Sequence, residues 1–153
     1  MSGQDPFTGP IDDLYREVVL EHARHPRNRR AIASPTHQNR GANPICGDEL
    51  TIGLRVADER IADIAFTGRG CAISQASASM MADLLKGREL SQVDDIAAAV
   101  RTMLSGDGTV DEEALGDAVA LRAVRQFPRR VACATLAWTT LAEALGTSKT
   151  AKR

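Results

Sequence analysis

The sequence predicts an α+β domain, a short antiparallel β-sheet of about three strands with helices packed on one face. Three observations predict it. Apolar and polar residues alternate strictly in the middle of the chain, apolar residues recur at helical spacing on both sides of it, and glycine or proline marks most changes of pattern. With 153 residues and 43% hydrophobic content, the chain can bury one continuous core but hardly two. Residues 11–146 are read as that domain, between a flexible Gly/Pro-rich lead at residues 1–10 and a flexible, basic tail at residues 147–153.

Ile11, Leu14, Tyr15, Val18 and Val19 give the first element an amphipathic helical stripe, which Pro26 stops. Residues 27–44 have no usable period and contain Pro35, Gly41 and Pro44, so a long loop is expected there. Alternation then begins: Leu50, Ile52, Leu54 and Val56 share one face, with Thr51, Gly53 and Arg55 on the other. A turn at residues 57–60 leads into a second alternating run, Ala62, Ile64 and Phe66, and the two runs should pair as an antiparallel hairpin.

Helical spacing returns at Ile73, Ala76, Met80, Met81, Leu84 and Leu85, with Gly87 placed to end the helix; the two methionines are read as core. Ser91 is the expected cap of a further helix carrying Val93, Ile96, Val100 and Leu104, ended by Gly106-Asp107-Gly108. Residues 111–124 read as helical but polar. Pro128 then starts a last helix with the stripe Val131, Ala134, Trp138, Leu141, Ala142 and Leu145, closed by Gly146.

Charge is nearly balanced, 19 Lys+Arg against 20 Asp+Glu, and aromatic content is 3%. Neither a basic field nor stacking platforms favour nucleic acid. No apolar run is long enough to span or anchor in a membrane, and the N-terminus lacks the basic and apolar parts of a secretory leader, so a cytoplasmic location is expected. In a reducing compartment the three cysteines are expected as thiols.

Those thiols carry the chemical argument. In extended chain, Cys46 and Asp48 point to the same side, with Gly47 between them letting the backbone come close. Cys71 and Cys133 each lie near a helix start, where free N–H groups and the helix dipole favour a thiolate. Three thiolates and a carboxylate suffice for a four-coordinate zinc site, and thiolates also hold iron–sulfur clusters. Free cysteines are also common as buried apolar filler, and this spacing lacks the Cys-x-x-Cys pairs of ordinary zinc domains. Arg130, one helical turn before Cys133, reaches the same place and would offset an anionic centre. His22, His25 and His37 stand next to no cysteine and are read as surface or core residues. No phosphate-binding or dinucleotide glycine motif is complete.

Three long segments embed the cysteines: Asn43-Pro44-Ile45-Cys46-Gly47-Asp48, Phe66-Thr67-Gly68-Arg69-Gly70-Cys71-Ala72-Ile73-Ser74 with Ser77-Ala78-Ser79, and Arg129-Arg130-Val131-Ala132-Cys133-Ala134-Thr135-Leu136. With Pro26-Arg27-Asn28, they make residues 14–145 resemble the SufU branch of the IscU/NifU-like family. IscU scaffolds carry a histidine directly before the third cysteine and a Pro-Pro segment ahead of it; here Ala132 and Gln126-Phe127-Pro128-Arg129-Arg130 occupy those places. An insertion on the order of twenty residues before Cys133 also matches SufU, and a surface insertion of that size is tolerable.

The resemblance implies zinc held by Cys46, Asp48, Cys71 and Cys133, and a sulfurtransferase that accepts persulfide sulfur for iron–sulfur cluster assembly. It implies a SufS-type cysteine desulfurase as donor and downstream iron–sulfur assembly proteins as recipients. Cys46 becomes the expected acceptor, freed when the partner contributes a histidine to the zinc, with Arg130 steadying the freed thiolate. The alternative is a scaffold whose ligands hold an iron–sulfur cluster.

Overall fold

The computed structural model describes residues 10–106 and 110–146. Helix α1 (Pro10–Arg24) precedes three strands, β1 (His37–Asn43), β2 (Asp48–Ala57) and β3 (Arg60–Arg69). Helices α2 (Ala72–Leu85) and α3 (Leu90–Ser105), a 3₁₀ segment (Glu112–Gln126) and α4 (Pro128–Leu145) follow. The sheet has the order β1-β2-β3 with both pairings antiparallel. Helices α2 and α4 pack against it and against each other. The expected α+β architecture is therefore present. Pro10, placed in the N-terminal lead by sequence, is the first residue of α1, and the remainder of that lead and the C-terminal tail lie outside the described residues.

The β2–β3 hairpin turns through Asp58 and Glu59, both at positive φ (53° and 63°), the handedness that matches the right-handed twist of paired strands. Leu50, Ile52 and Leu54 are buried as their alternation requires. On β3 the expected set needs a correction: Ile64 and Phe66 are core, but Ala62 is exposed and Ile61 is buried in its stead. A register shift between Arg55 and Val56 causes this, since one extra residue flips side chains to the opposite face.

Residues 37–43, expected as loop, form β1 instead. His37-Gln38-Asn39-Arg40-Gly41-Ala42-Asn43 has no apolar alternation, and the strand is held by ladder bonds to β2 and by docking on α4. Asn39 Nδ2 donates to the Thr140 carbonyl at 3.1 Å. Gly41 lies so close to Thr140 and Leu136 that a Cβ there would collide with Thr140 Oγ1.

Two helix readings also change. Glu89, not Ser91, caps α3, in a reciprocal box with Gln92. The segment read as a polar helix is 3₁₀, kinked at Gly116 (φ 51°), and buries Leu115, Ala118, Leu121 and Val124. Small alanines among charged residues disguised that apolar face. His22 ties this segment inward: Ser79 Oγ accepts from Arg27 N–H at 2.8 Å and is hydrogen-bonded to His22 Nδ1 at 2.8 Å, while His22 Nε2 is hydrogen-bonded to Asp117 at 2.9 Å. Met80, Met81, Leu85 and Trp138 fill the centre, as the stripes of α2 and α4 predict, together with Phe66 of β3. Trp138 Nε1–H donates to Ser77 Oγ at 3.0 Å, which donates to the Ala134 carbonyl at 2.6 Å, stitching α2 to α4.

Candidate metal centre

The site gathers where the β1–β2 turn meets the N-terminal turns of α2 and α4. Asn43 pairs with Asp48 in register, so residues 44–47 form the hairpin turn and Cys46 sits within it. Cys46 N–H closes the turn on the Asn43 carbonyl at 3.2 Å, and Gly47 takes φ 75° with open space where a side chain would be. Ile45, beside Cys46, is 86% exposed.

Asp48, the first residue of β2, is 0% exposed. Its Oδ1 accepts from Cys71 N–H at 2.8 Å and from Ser74 Oγ at 3.2 Å. Oδ2 is buried and has no hydrogen-bond partner. A carboxylate oxygen in that position carries a desolvation penalty unless a proton or a cation meets it.

Cys133, in the second turn of α4, is also 0% exposed, and Asn43 Nδ2 donates to its Sγ at 3.6 Å. Ligand atoms of Cys46, Asp48 and Cys133 all lie within 4.8 Å of one another. Burial pushes the Cys133 thiol well above its ordinary pKa, and contacts with Cys46, Asp48 and Cys71 push the same way. A thiolate at Cys133 is therefore disfavoured here unless positive charge meets it. A divalent cation would supply it, and sulfur donors with one carboxylate oxygen are a set that zinc accepts.

Cys71 is the N-cap of α2 and half-buried. Its thiol interacts with that of Cys133, but it stands outside the tightest cluster of Cys46, Asp48 and Cys133. Its backbone N–H, engaged with Asp48, makes a contribution that sequence reading missed. Arg130 lies at the mouth. A hydrogen bond with Cys133, followed by the charges of Cys71 and Cys46, raises its guanidinium pKa, so it is a fixed positive charge facing the sulfurs. Beside Cys71 and Arg130 opens a cavity of about 300 Å³ walled by Val19, Leu20, Ile73, Val124 and Phe127. None of the histidines joins the cluster; His22 is a core residue.

Asn43, Gly70 and Ser74 contact the candidate ligands, and sequence reading did not single them out. All three lie within the cysteine-bearing segments, which is a signal of position but not of role.

Residues 14–134 match the family described as the NifU-like N-terminal domain. The chain belongs to that family. Among curated proteins, this NifU-like domain is 36% identical over 135 residues to the zinc-dependent sulfurtransferase SufU of Bacillus subtilis, covering 88% of this chain and 91% of the relative. It is 34% identical over 142 residues to the iron–sulfur cluster assembly scaffold protein IscU of Streptococcus pyogenes, covering 93% and 89%. Among solved structures, a candidate cluster assembly scaffold for the SUF system from Fervidobacterium islandicum superposes with a TM-score of 0.80 at 31% identity, covering 84% of this chain and 94% of that one. The N-terminal NifU-like protein of Brucella abortus does so at 0.80 and 26%, covering 93% and 99%. The NifU-like chain has, among its described residues, no helix long and apolar enough to cross a membrane.

Proposed function

We propose that this NifU-like domain is a zinc-dependent sulfurtransferase that accepts persulfide sulfur from a SufS-type cysteine desulfurase for iron–sulfur cluster assembly. The observation that carries the reading is the convergence of Cys46, Asp48 and Cys133 within 4.8 Å around the unpartnered Asp48 Oδ2, with Cys46 on a hairpin turn. Cys46, Asp48, Cys71 and Cys133 are the proposed ligands. Zinc, when bound, keeps the sulfurs as thiolates at neutral pH.

The chain's own residues do the rest. Cys46, in the turn between Pro44 and Gly47, is the ligand whose departure disturbs no helix or strand. As a thiolate its Sγ attacks the outer sulfur of the donor persulfide. A new S–S bond forms as the donor's own S–S bond breaks, and the donor thiolate leaves with the electron pair, so no external oxidant or reductant is consumed. Arg130 offers charge to the thiolate while it is unpaired. The absence of histidine next to Cys133, where Ala132 stands, supports the sulfur acceptor over the dedicated scaffold.

The test is desulfurase turnover of a SufS-type enzyme with cysteine and reductant, measured with zinc-loaded protein, metal-free protein and Cys46→Ala side by side. Stimulation and a persulfide on the loaded wild type alone supports the reading; three identical rates refute it. A second reading, assembly of a cluster on the same ligands, is favoured by the similarity to IscU scaffolds. Iron and acid-labile sulfide in the isolated protein, in place of zinc, would establish that one.

A further inference from the structure

We infer that Ser74 is a positioning residue that holds the Asp48 carboxylate so that one oxygen alone, Oδ2, is offered to a metal. The inference rests on the metal-site reading above and adds a residue to it. Ser74 is the third residue of α2 and is fully buried, an unusual place for a hydroxyl unless it is used. Its Oγ lies 3.2 Å from Asp48 Oδ1 and 3.0 Å from the Cys71 carbonyl. The single hydroxyl proton serves an ionised carboxylate better than a neutral carbonyl, because the bond is then charge-assisted.

Two further observations point the same way. Oδ1 is also held by Cys71 N–H at 2.8 Å, so one carboxylate oxygen has two donors while its twin, equally buried, has none. Gly70 lies against the pair: a Cβ there would collide with both Asp48 Oδ1 and Ser74 Oγ, so the backbone is kept bare to admit this contact. A carboxylate pinned through Oδ1 cannot swing to present both oxygens. It therefore takes one position at a metal and leaves the others to sulfur.

A purely structural hydroxyl, bonding only within the first turn of α2, would make the same contact with Cys71, so the test separates the two roles. Zinc affinity is measured by chelator competition for wild type, Ser74→Ala, Asp48→Ala and the double variant, together with visible spectra of the cobalt(II) proteins. Ser74→Ala is expected to weaken zinc binding by about tenfold, the scale of lost outer-shell contacts, and to weaken the cobalt d–d bands as the freed carboxylate raises the coordination number. In the Asp48→Ala background the same change is expected to do nothing. Equal losses in both backgrounds, or no loss in either, overturn the inference. Should Ser74→Ala not fold, Gly70→Ala crowds the same contact from the other side and is read in the same two backgrounds. A folded wild type with no affinity for zinc or cobalt removes the metal reading itself, whereas tight binding indifferent to Ser74 removes the positioning role alone.

Discussion

Asp48 and Cys133 are fully buried, one at the head of a strand and one inside a helix, whereas Cys46 hangs in a hairpin turn between an 86% exposed isoleucine and a glycine with open space beside it. The buried pair is fixed by Cys71 N–H, Ser74 and Asn43; the turn is closed by one backbone bond. One half of the site is held firmly by its neighbours and the other loosely. That division fits a centre that must retain a metal while lending a nucleophile, and it can be broken or sharpened by experiment.

The largest contrast is expected in metal retention. Cys133→Ser should lower zinc affinity by at least about a hundredfold, and Cys46→Ser by about tenfold, because the remaining ligands of the second variant are the pre-organised ones. Chelator competition reads this directly, and equal losses would erase the distinction. Stability should divide along the same line. Gly68 (φ 133°) has the Glu49 carbonyl where a Cβ would go, so Gly68→Ala should destabilise by about 3 kcal/mol. Gly47→Ala meets no neighbour and should cost about 1 kcal/mol of backbone strain. Denaturant midpoints of the two variants test this.

A region remote from the chemistry supplies a control. Arg30 hydrogen-bonds Asp63 and holds its carboxyl pKa down, from the ordinary 3.8 to about 2, with Lys86 contributing less. A depressed carboxyl stabilises the fold above its unfolded pKa and loses that contribution as pH falls through the folded one. Arg30→Gln should therefore move acid unfolding to higher pH while leaving zinc affinity unchanged, as followed by circular dichroism. Smallest of all in stability, Ile45→Ala should stay within about 0.5 kcal/mol of wild type. Its effect should fall on the partner, as a higher concentration needed to stimulate the desulfurase.

Sequence reading succeeded where one physical signal dominates a segment. The α2 and α4 stripes, the Leu50–Leu54 alternation and the helix-ending glycines Gly87, Gly106 and Gly146 are local patterns, and each appears in the fold. The β1 strand escaped because its seven residues carry no alternation; its reason to exist is ladder bonds and the fit of Gly41 against Thr140. The 3₁₀ segment reads as helical, but its apolar face escaped because three of its six buried residues are small alanines set among charged ones. At the candidate site, the fold brings Cys46, Asp48 and Cys133 together and leaves Cys71 just outside the tightest cluster. Their supports were not legible in the sequence, since Asn43 meets Cys133 across 90 residues and Ser74 meets Asp48 across 26, distances that no local pattern encodes.

The same polar β1 bears on how copies of the chain treat one another. At the far side of the sheet, Phe66 N–H bonds the Asn28 carbonyl and Ile61 bonds Gly87 and Arg88, so that border is already occupied. The β1 border offers ladder groups flanked by histidine, glutamine, asparagine and arginine, with no row of apolar side chains to bury. A second copy laying a strand there would gain backbone bonds that water already supplies and little else. Self-association by adding a strand to this border is thus unrewarding.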